Sequence, residues 1–329
     1  MRERFTVTPD RFTQVVLAAV VGLTAIVFTG AAVRLTGSGL GCPTWPRCTQ
    51  TSLYTPLSTH GVIEFGNRML TFVVGFAAVA PLVLVWFRKP FRRDLAAFSV
   101  LLPLGVVAQA VLGGISVRTK LAPGFVMGHY GLSLLILVAA VGLWWRAREE
   151  PYVDRPGADR LTVLAVRGLF VVGVAAIALG TAATAAGPHA GGAGTGDRVA
   201  RLTWDGANTL SLMVHLHSYL NVALGGLIVA AWWLARSRGA VDGLRRILTR
   251  LALLMALQGA VGVAQYSLEL PAEMVWVHVA LATLTWIGLV RAWAFAGRLP
   301  SRGAQPRLPE PGSSGRAGDA ERVVAGASA

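Results

Sequence analysis

The chain has 329 residues, 54% of them hydrophobic and 14% charged, with a mean hydropathy of +0.58. That composition excludes a water-soluble globular domain, in which about a quarter of residues are charged. A net charge of +14 raises the question of a nucleic-acid partner, but the basic residues sit in alternate loops between apolar runs and so set membrane topology.

Apolar runs of about 20 residues, each long enough to cross roughly 30 Å of hydrocarbon, recur along the chain. Eight are predicted, over 13–33, 62–87, 96–117, 124–145, 161–183, 208–234, 246–266 and 273–296. The first is too long for the apolar core of a cleaved signal peptide, and runs too directly into a structured loop. Residues 1–12 form a short lead that carries Arg2, Arg4 and Arg11. The loop after the second span carries Arg88, Lys89, Arg92 and Arg93, and the one after the fourth Arg146, Arg148, Arg155 and Arg160. Arg236, Arg238, Arg245, Arg246 and Arg250 follow the sixth span, and an Arg-bearing tail follows the eighth. The intervening loops hold few basic residues, which places both termini in the cytoplasm of a multi-pass cell-membrane protein.

On that topology the first external loop, 34–61, is Gly/Pro-rich and carries both cysteines of the chain, Cys42 and Cys48. An oxidising exterior favours a disulfide between them; two free thiols or half of a zinc site are the other readings. Residues 147–160, with Glu149, Glu150, Asp154 and Asp159, read as a cytoplasmic linker, and 185–206 as the second large external loop, with His189 as an exposed loop histidine. Trp45, Trp204 and Trp276 fall near the expected interfaces and read as an aromatic belt. From 299 to 329 the tail lacks apolar period and is expected to be disordered.

The second half repeats the first. Gln109, Gly113 and His129 recur as Gln258, Gly262 and His278, 149 positions later, with a Pro between Gln and His in each copy. Gly30, Gly37, Asn67, Gly75 and Arg88 match Gly180, Gly187, His217, Gly225 and Arg238 at an offset of 150. Four spans per half is an even number, so both halves enter from the same side, related by an axis along the membrane normal. The expected fold is an all-α integral membrane protein whose eight transmembrane helices form two pseudo-two-fold-related four-helix bundles, 1–146 and 161–298.

Few ionisable side chains lie inside the apolar spans, where they are costly and mark function. His129 and His278 follow their prolines by six and seven residues, which at 1.5 Å per residue sets each roughly 10 Å below the outer surface. His217 reaches a similar depth from another span, so it and His278 can face each other and hold haem iron axially. The alternative for each is a packed polar residue bonded to a neighbouring carbonyl. His215 and His217 point about 200° apart on one helix, and the repeat selects His217. The first half has Asn67 at that position, three residues after Glu64 and one before Arg68. Glu64 and Arg68, four apart, read as an ion pair on one helix face. His60, two turns nearer the outside, reads as an iron ligand from above, a proton carrier or an interface residue. Gly113-Gly114 and Gly225-Gly226 permit close helix packing or the approach of a flat ligand.

Together these features resemble the haem A synthase family. The residues that carry the likeness are Gly37 to Cys48 (GSGLGCPTWPRC), Glu64 to Arg68, Gly128-His129-Tyr130, Leu216 to Leu220 and Val277-His278, within a likeness covering about 12–297. The resemblance implies oxidation of a ring methyl of haem O to a formyl group, giving haem A. It implies that His217 and His278 hold a haem b in the second half and that His129 ligates the substrate haem in the first. Glu64 matches the family's functional carboxylate, with Asn67, Arg68 and His60 as secondary candidates, and Cys42 and Cys48 match its external cysteine pair. The family commonly has His where this chain has Asn67, and some members carry a second cysteine pair where this chain has Gly187-Pro188-His189-Ala190-Gly191. Partners implied are haem O synthase, a haem-A-containing terminal oxidase and membrane lipid, with no nucleic acid. A di-haem electron carrier and a repeat-built transporter are the rival readings.

Overall fold

A computed structural model describes residues 6–55, 57–149 and 158–297. Eight long helices make up most of it: α1 (Pro9–Leu35), α2 (Thr59–Leu84), α3 (Arg93–Arg118), α4 (Pro123–Arg148), α5 (Arg160–Ala186), α6 (Thr209–Ser237), α7 (Asp242–Ser267) and α8 (Ala272–Ala296). Every predicted span is a helix, and each of the eight is long and apolar enough to cross a membrane. Two short 3-10 turns, Ala193–Thr195 and Gly206–Asn208, interrupt the second large loop. No strand forms among the described residues, where the backbone satisfies itself within helices as an apolar medium requires. Both the linker core at 150–157 and the expected disordered tail lie outside the described residues.

Local chemistry sets the ends. Thr8 caps α1 through the Arg11 amide with Pro9 at its first position, Ser58 caps α2 through Gly61, and Asp159 caps α5 through Leu161 and Thr162. The most displaced element is α2, predicted at 62–87 and found three residues earlier at both ends. Its final predicted turn is drawn out of the helix by the lead segment: Val7 donates to Phe87 O at 2.9 Å and accepts from Lys89 N–H at 3.1 Å. Val7 and Phe12 are buried there, with the Arg88 guanidinium over the Phe12 ring.

Each helix of 9–148 packs on its neighbours in a closed circuit, α1 on α2, α2 on α3, α3 on α4 and α4 on α1; the helices of 160–296 repeat it as α5, α6, α7 and α8. Contacts between the two sets run through α1 and α4 against α8, and α4 against α5. Indole N–H groups fasten that seam, Trp286 to Leu134 O at 3.0 Å and Trp276 to Phe28 O at 2.9 Å. Large apolar side chains such as Phe76 and Val222, each 77% exposed, face outward. Such a surface needs a hydrocarbon environment.

Repetition extends to the turns. Lys120 and Leu121 between α3 and α4, and Glu269 and Leu270 between α7 and α8, all have positive φ, between 52° and 63°. In both turns the second residue's N–H reaches back five residues at 2.7 Å, Leu121 to Ser116 O and Leu270 to Gln265 O. Non-glycine residues rarely adopt this conformation, and the four lie at matching positions, 149 apart.

Candidate functional site: histidines at matched positions in the two halves

In the second half, His217 is the ninth residue of α6 and His278 the seventh of α8. Their ring centres are 6.1 Å apart with the planes at 63°. His217 Nδ1 lies 2.8 Å from Ala176 O on α5; a carbonyl only accepts, so Nδ1 carries the proton and Nε2 presents its lone pair. The Asn221 amide, which bonds His217 O at 2.7 Å, also lies 3.3 Å from that Nε2. Glycines make room for the rings. A Cβ on Gly180 would lie 2.7 Å from His217 Cε1, and one on Gly262 would lie 3.3 Å from His278 Cε1. Gln258 Nε2 donates to His278 O at 3.1 Å, while His278 Nδ1 is buried without a partner.

The first half repeats this arrangement with one substitution. His129 is the seventh residue of α4, its ring lies over Gly113, Gln109 Nε2 donates to His129 O at 3.1 Å, and its Nδ1 is again buried and unpartnered. The amide of Gln109 also bonds Ser133. Asn67 is the ninth residue of α2, as His217 is of α6, and its Oδ1 accepts from Thr29 on α1 at 2.7 Å. No side chain meets a Cβ built on Gly30, the counterpart of Gly180, because Asn67 is shorter than an imidazole. His215, by contrast, is exposed and bonded to its own helix through Ser211 O at 2.7 Å.

These residues fit haem in the second half. An iron held by two imidazole nitrogens at roughly 2 Å each sets the ring centres about 6 Å apart, and two facing imidazoles suffice because the macrocycle supplies the other ligands. Among the described residues no three His, Cys, Asp or Glu side chains gather into a site for a bare metal ion. The unpartnered Nδ1 atoms also mark these imidazoles as built for something beyond packing, since buried polar atoms are otherwise paired.

Above the first half sits the loop closed by a Cys42–Cys48 disulfide, which removes the thiol and zinc readings. Glu64 and Arg68 form the expected ion pair at 2.6 Å, but both also reach into this loop. Glu64 Oε2 accepts from Cys42 N–H at 2.7 Å; Arg68 donates to Cys42 O at 3.1 Å, Thr44 O at 3.1 Å and Arg47 O at 3.4 Å. Both carboxylate oxygens are therefore engaged, and the pair anchors the loop to α2. His60 belongs to the same cap: Nδ1 bonds Ser38 Oγ at 2.9 Å and its ring packs on Gly194 of the second large loop.

Trp45, one of the expected belt residues, is 36% exposed and also rests its ring on Gly114, where a Cβ would come within 2.4 Å of it. Two expectations change. His189 is not a free loop histidine: its Nε2 bonds Leu270 O at 2.7 Å, tying the loop to the α7–α8 turn. Gly225-Gly226 faces open space rather than a neighbouring helix. The interlocking of the α1–α2 and α5–α6 loops had no signal beyond shared glycines. Gly39 N–H donates to Gly191 O at 2.8 Å, Gly194 N–H donates to Gly37 O at 3.2 Å, and Arg34 on α1 donates to His189 O and Thr184 O at 2.9 and 3.2 Å.

Fold and site together define a class: an eight-helix membrane protein with interior imidazoles at repeated positions, paired in one half and single in the other. The chain belongs to the cytochrome oxidase assembly protein family (COX15-CtaA), whose model matches residues 13–62 and 56–290. Among curated relatives, proteins named heme A synthase are similar to it. That of Lysinibacillus sphaericus is 30% identical over 126 residues, 38% of this chain and 41% of the relative. Those of Alkalihalophilus pseudofirmus and Listeria welshimeri are each 28% identical, over 131 and 124 residues, or 44% and 41% of their own lengths. The matched stretch thus spans about two fifths of each of these relatives.

Proposed function

We propose that this chain is a haem A synthase, oxidising a ring methyl of haem O to a formyl group by two hydroxylations, each passing two electrons to an external acceptor, and loss of water from the resulting geminal diol. The observation that carries the reading is the contrast between the halves: facing imidazoles 6.1 Å apart in one, and a single imidazole opposite Asn67 in the other. The two halves, 1–146 and 161–298, are taken as copies of one four-helix unit joined by the 147–160 linker. His217 and His278 hold a resident haem b, which supplies one-electron redox chemistry when bound. His129 ligates the substrate haem O. Asn67, held by Thr29, offers no imidazole, and so denies the first half the second ligand that a di-haem electron carrier would need.

The polar residues of the first half have distinct tasks on this reading. Gly113 gives the His129 ring its place against α3, and Gln109 fixes that stretch of α4. Glu64 and Arg68 hold the disulfide loop as a roof over the substrate haem and exclude water from its edge, with His60 joining that roof to the second-half loop. Haem O arrives from a haem O synthase and the product passes to a haem-A-containing terminal oxidase, with the protein in the cell membrane and both termini cytoplasmic.

The test is to extract haems from membranes with and without this chain, in a host supplying haem O, and weigh them by mass spectrometry. Haem A only where the chain is present supports the reading. Purified protein with a Soret band but no haem O or haem A in the extract would leave an electron carrier, and protein without a Soret band would exclude both.

A further inference from the structure

Eight buried side-chain atoms among the described residues lack a hydrogen-bond partner, and four of them form a pattern: Gln109 Oε1, His129 Nδ1, Gln258 Oε1 and His278 Nδ1. They are two copies of one pair. In each copy the glutamine amide already touches the histidine, donating from Nε2 to its backbone oxygen at 3.1 Å. Each glutamine lies one turn before the glycine on which that histidine's ring rests, Gly113 or Gly262, so amide and imidazole share one face of α3 or α7. A buried carbonyl oxygen without a donor and a buried ring nitrogen without a partner are each destabilising. The same two unpartnered atoms thus recur in both copies of the repeat, 149 positions apart.

We infer that Gln258 and Gln109 are positioning residues that accept a hydrogen bond at Oε1 from Nδ1–H of His278 and His129 once Nε2 of those imidazoles engages haem iron. The chemistry is complementary. An imidazole bound through Nε2 keeps its proton on Nδ1 and becomes a stronger donor there, and metal-bound histidines nearly always give that proton to an acceptor. Gln258 Oε1 is a buried acceptor without a donor, on an amide whose Nε2 already bonds the backbone oxygen of His278. His217 needs no such residue, because Ala176 O already takes its Nδ1–H at 2.8 Å. Each ring of the second-half pair thereby has its own acceptor, a backbone carbonyl for one and an amide for the other. The first-half glutamine is further braced by Ser133, where the second half has Ala282, so the substrate-side ligand is held by one contact more.

This inference rests on the haem reading of the site, and the test separates the two. Haem-loaded full-length protein is compared with Gln258→Leu and Gln258→Glu by redox titration and by electron paramagnetic resonance of the oxidised haem. An acceptor on Nδ1–H pushes electron density onto iron, so Leu should raise the midpoint potential and Glu, a stronger acceptor, should lower it, with opposite shifts in the spread of g-values. Potentials and g-values equal to wild type in both variants would overturn the assignment. If Gln258→Leu fails to retain haem, the Glu variant decides alone: a lowered potential supports the role and an unchanged one rejects it. Wild-type protein that binds no haem would refute the site itself, a result distinct from either.

Discussion

Gly180→Ala isolates the fit of a single ligand. A Cβ at this position would stand 2.7 Å from His217 Cε1 and 3.1 Å from its Nδ1, against an ordinary carbon contact of about 3.5–4.0 Å. The ring must therefore retreat by roughly 1 Å, several times the tolerance of about 0.2 Å in a metal–ligand distance. Retreat also breaks the Nδ1–H bond to Ala176 O, which contributes about 1 kcal/mol. Replacing Gly by Ala within a helix returns about 0.8–1.0 kcal/mol, so the two effects nearly cancel and the fold should survive. The expected result is an almost unchanged thermal midpoint in detergent with haem affinity down roughly 10–100-fold, the scale of disturbances just outside a metal's ligands. Gly30→Ala is the matched control, since nothing lies within 4 Å of its added Cβ, and it should keep full haem. Haem content is read by pyridine haemochrome per mole of protein. Equal content and an unchanged Soret band in both variants would refute the ligand role of His217.

His278→Ala should abolish stably bound haem b while leaving the helical circular dichroism intact; full retention would remove His278 from the site. Glu64→Gln removes one charge of a largely buried ion pair, a change that costs roughly 3–5 kcal/mol when nothing else holds the partner. The carbonyl contacts of Arg68 in the Cys42–Cys48 loop should keep the loss at or below the low end, visible as faster reduction of the disulfide by a phosphine and as lower haem A yield with haem b retained. Reduction kinetics and yield both equal to wild type would separate Glu64 from the loop and from the reaction. Maleimide labelling of unreduced, denatured protein should find no thiol, since the only two cysteines are joined, and one labelled thiol per chain or more would contradict that bond.

Glu64 marks the limit of what could be read from a pattern. Its pairing with Arg68 followed from a spacing of four on a helix, and Asn67 was identified as the counterpart of His217 by counting. That the carboxylate also accepts from Cys42, 22 residues away, followed from neither. The same holds for His60 and Trp45, whose types suggested a ligand or an interface. Their contacts, with Ser38 and Gly194 in one case and Gly114 in the other, depend on where loops of little periodicity come to rest.

Span number, helical class, the repeat and the place of each imidazole along its helix were decided by residue order alone, because they rest on quantities local to the chain: apolar length against bilayer thickness, and 1.5 Å of rise per residue. The facing of His217 and His278, the glycine cradles, the unpartnered Gln258 and His278 atoms, and the joining of the inter-helix loops by Arg34 and His189 were decided only by tertiary structure. Those features depend on separations of a few ångströms between segments 20 to 155 residues apart. Backbone carbonyls supply many of the acceptors, and every residue has one, so no residue type announces which of them will be used.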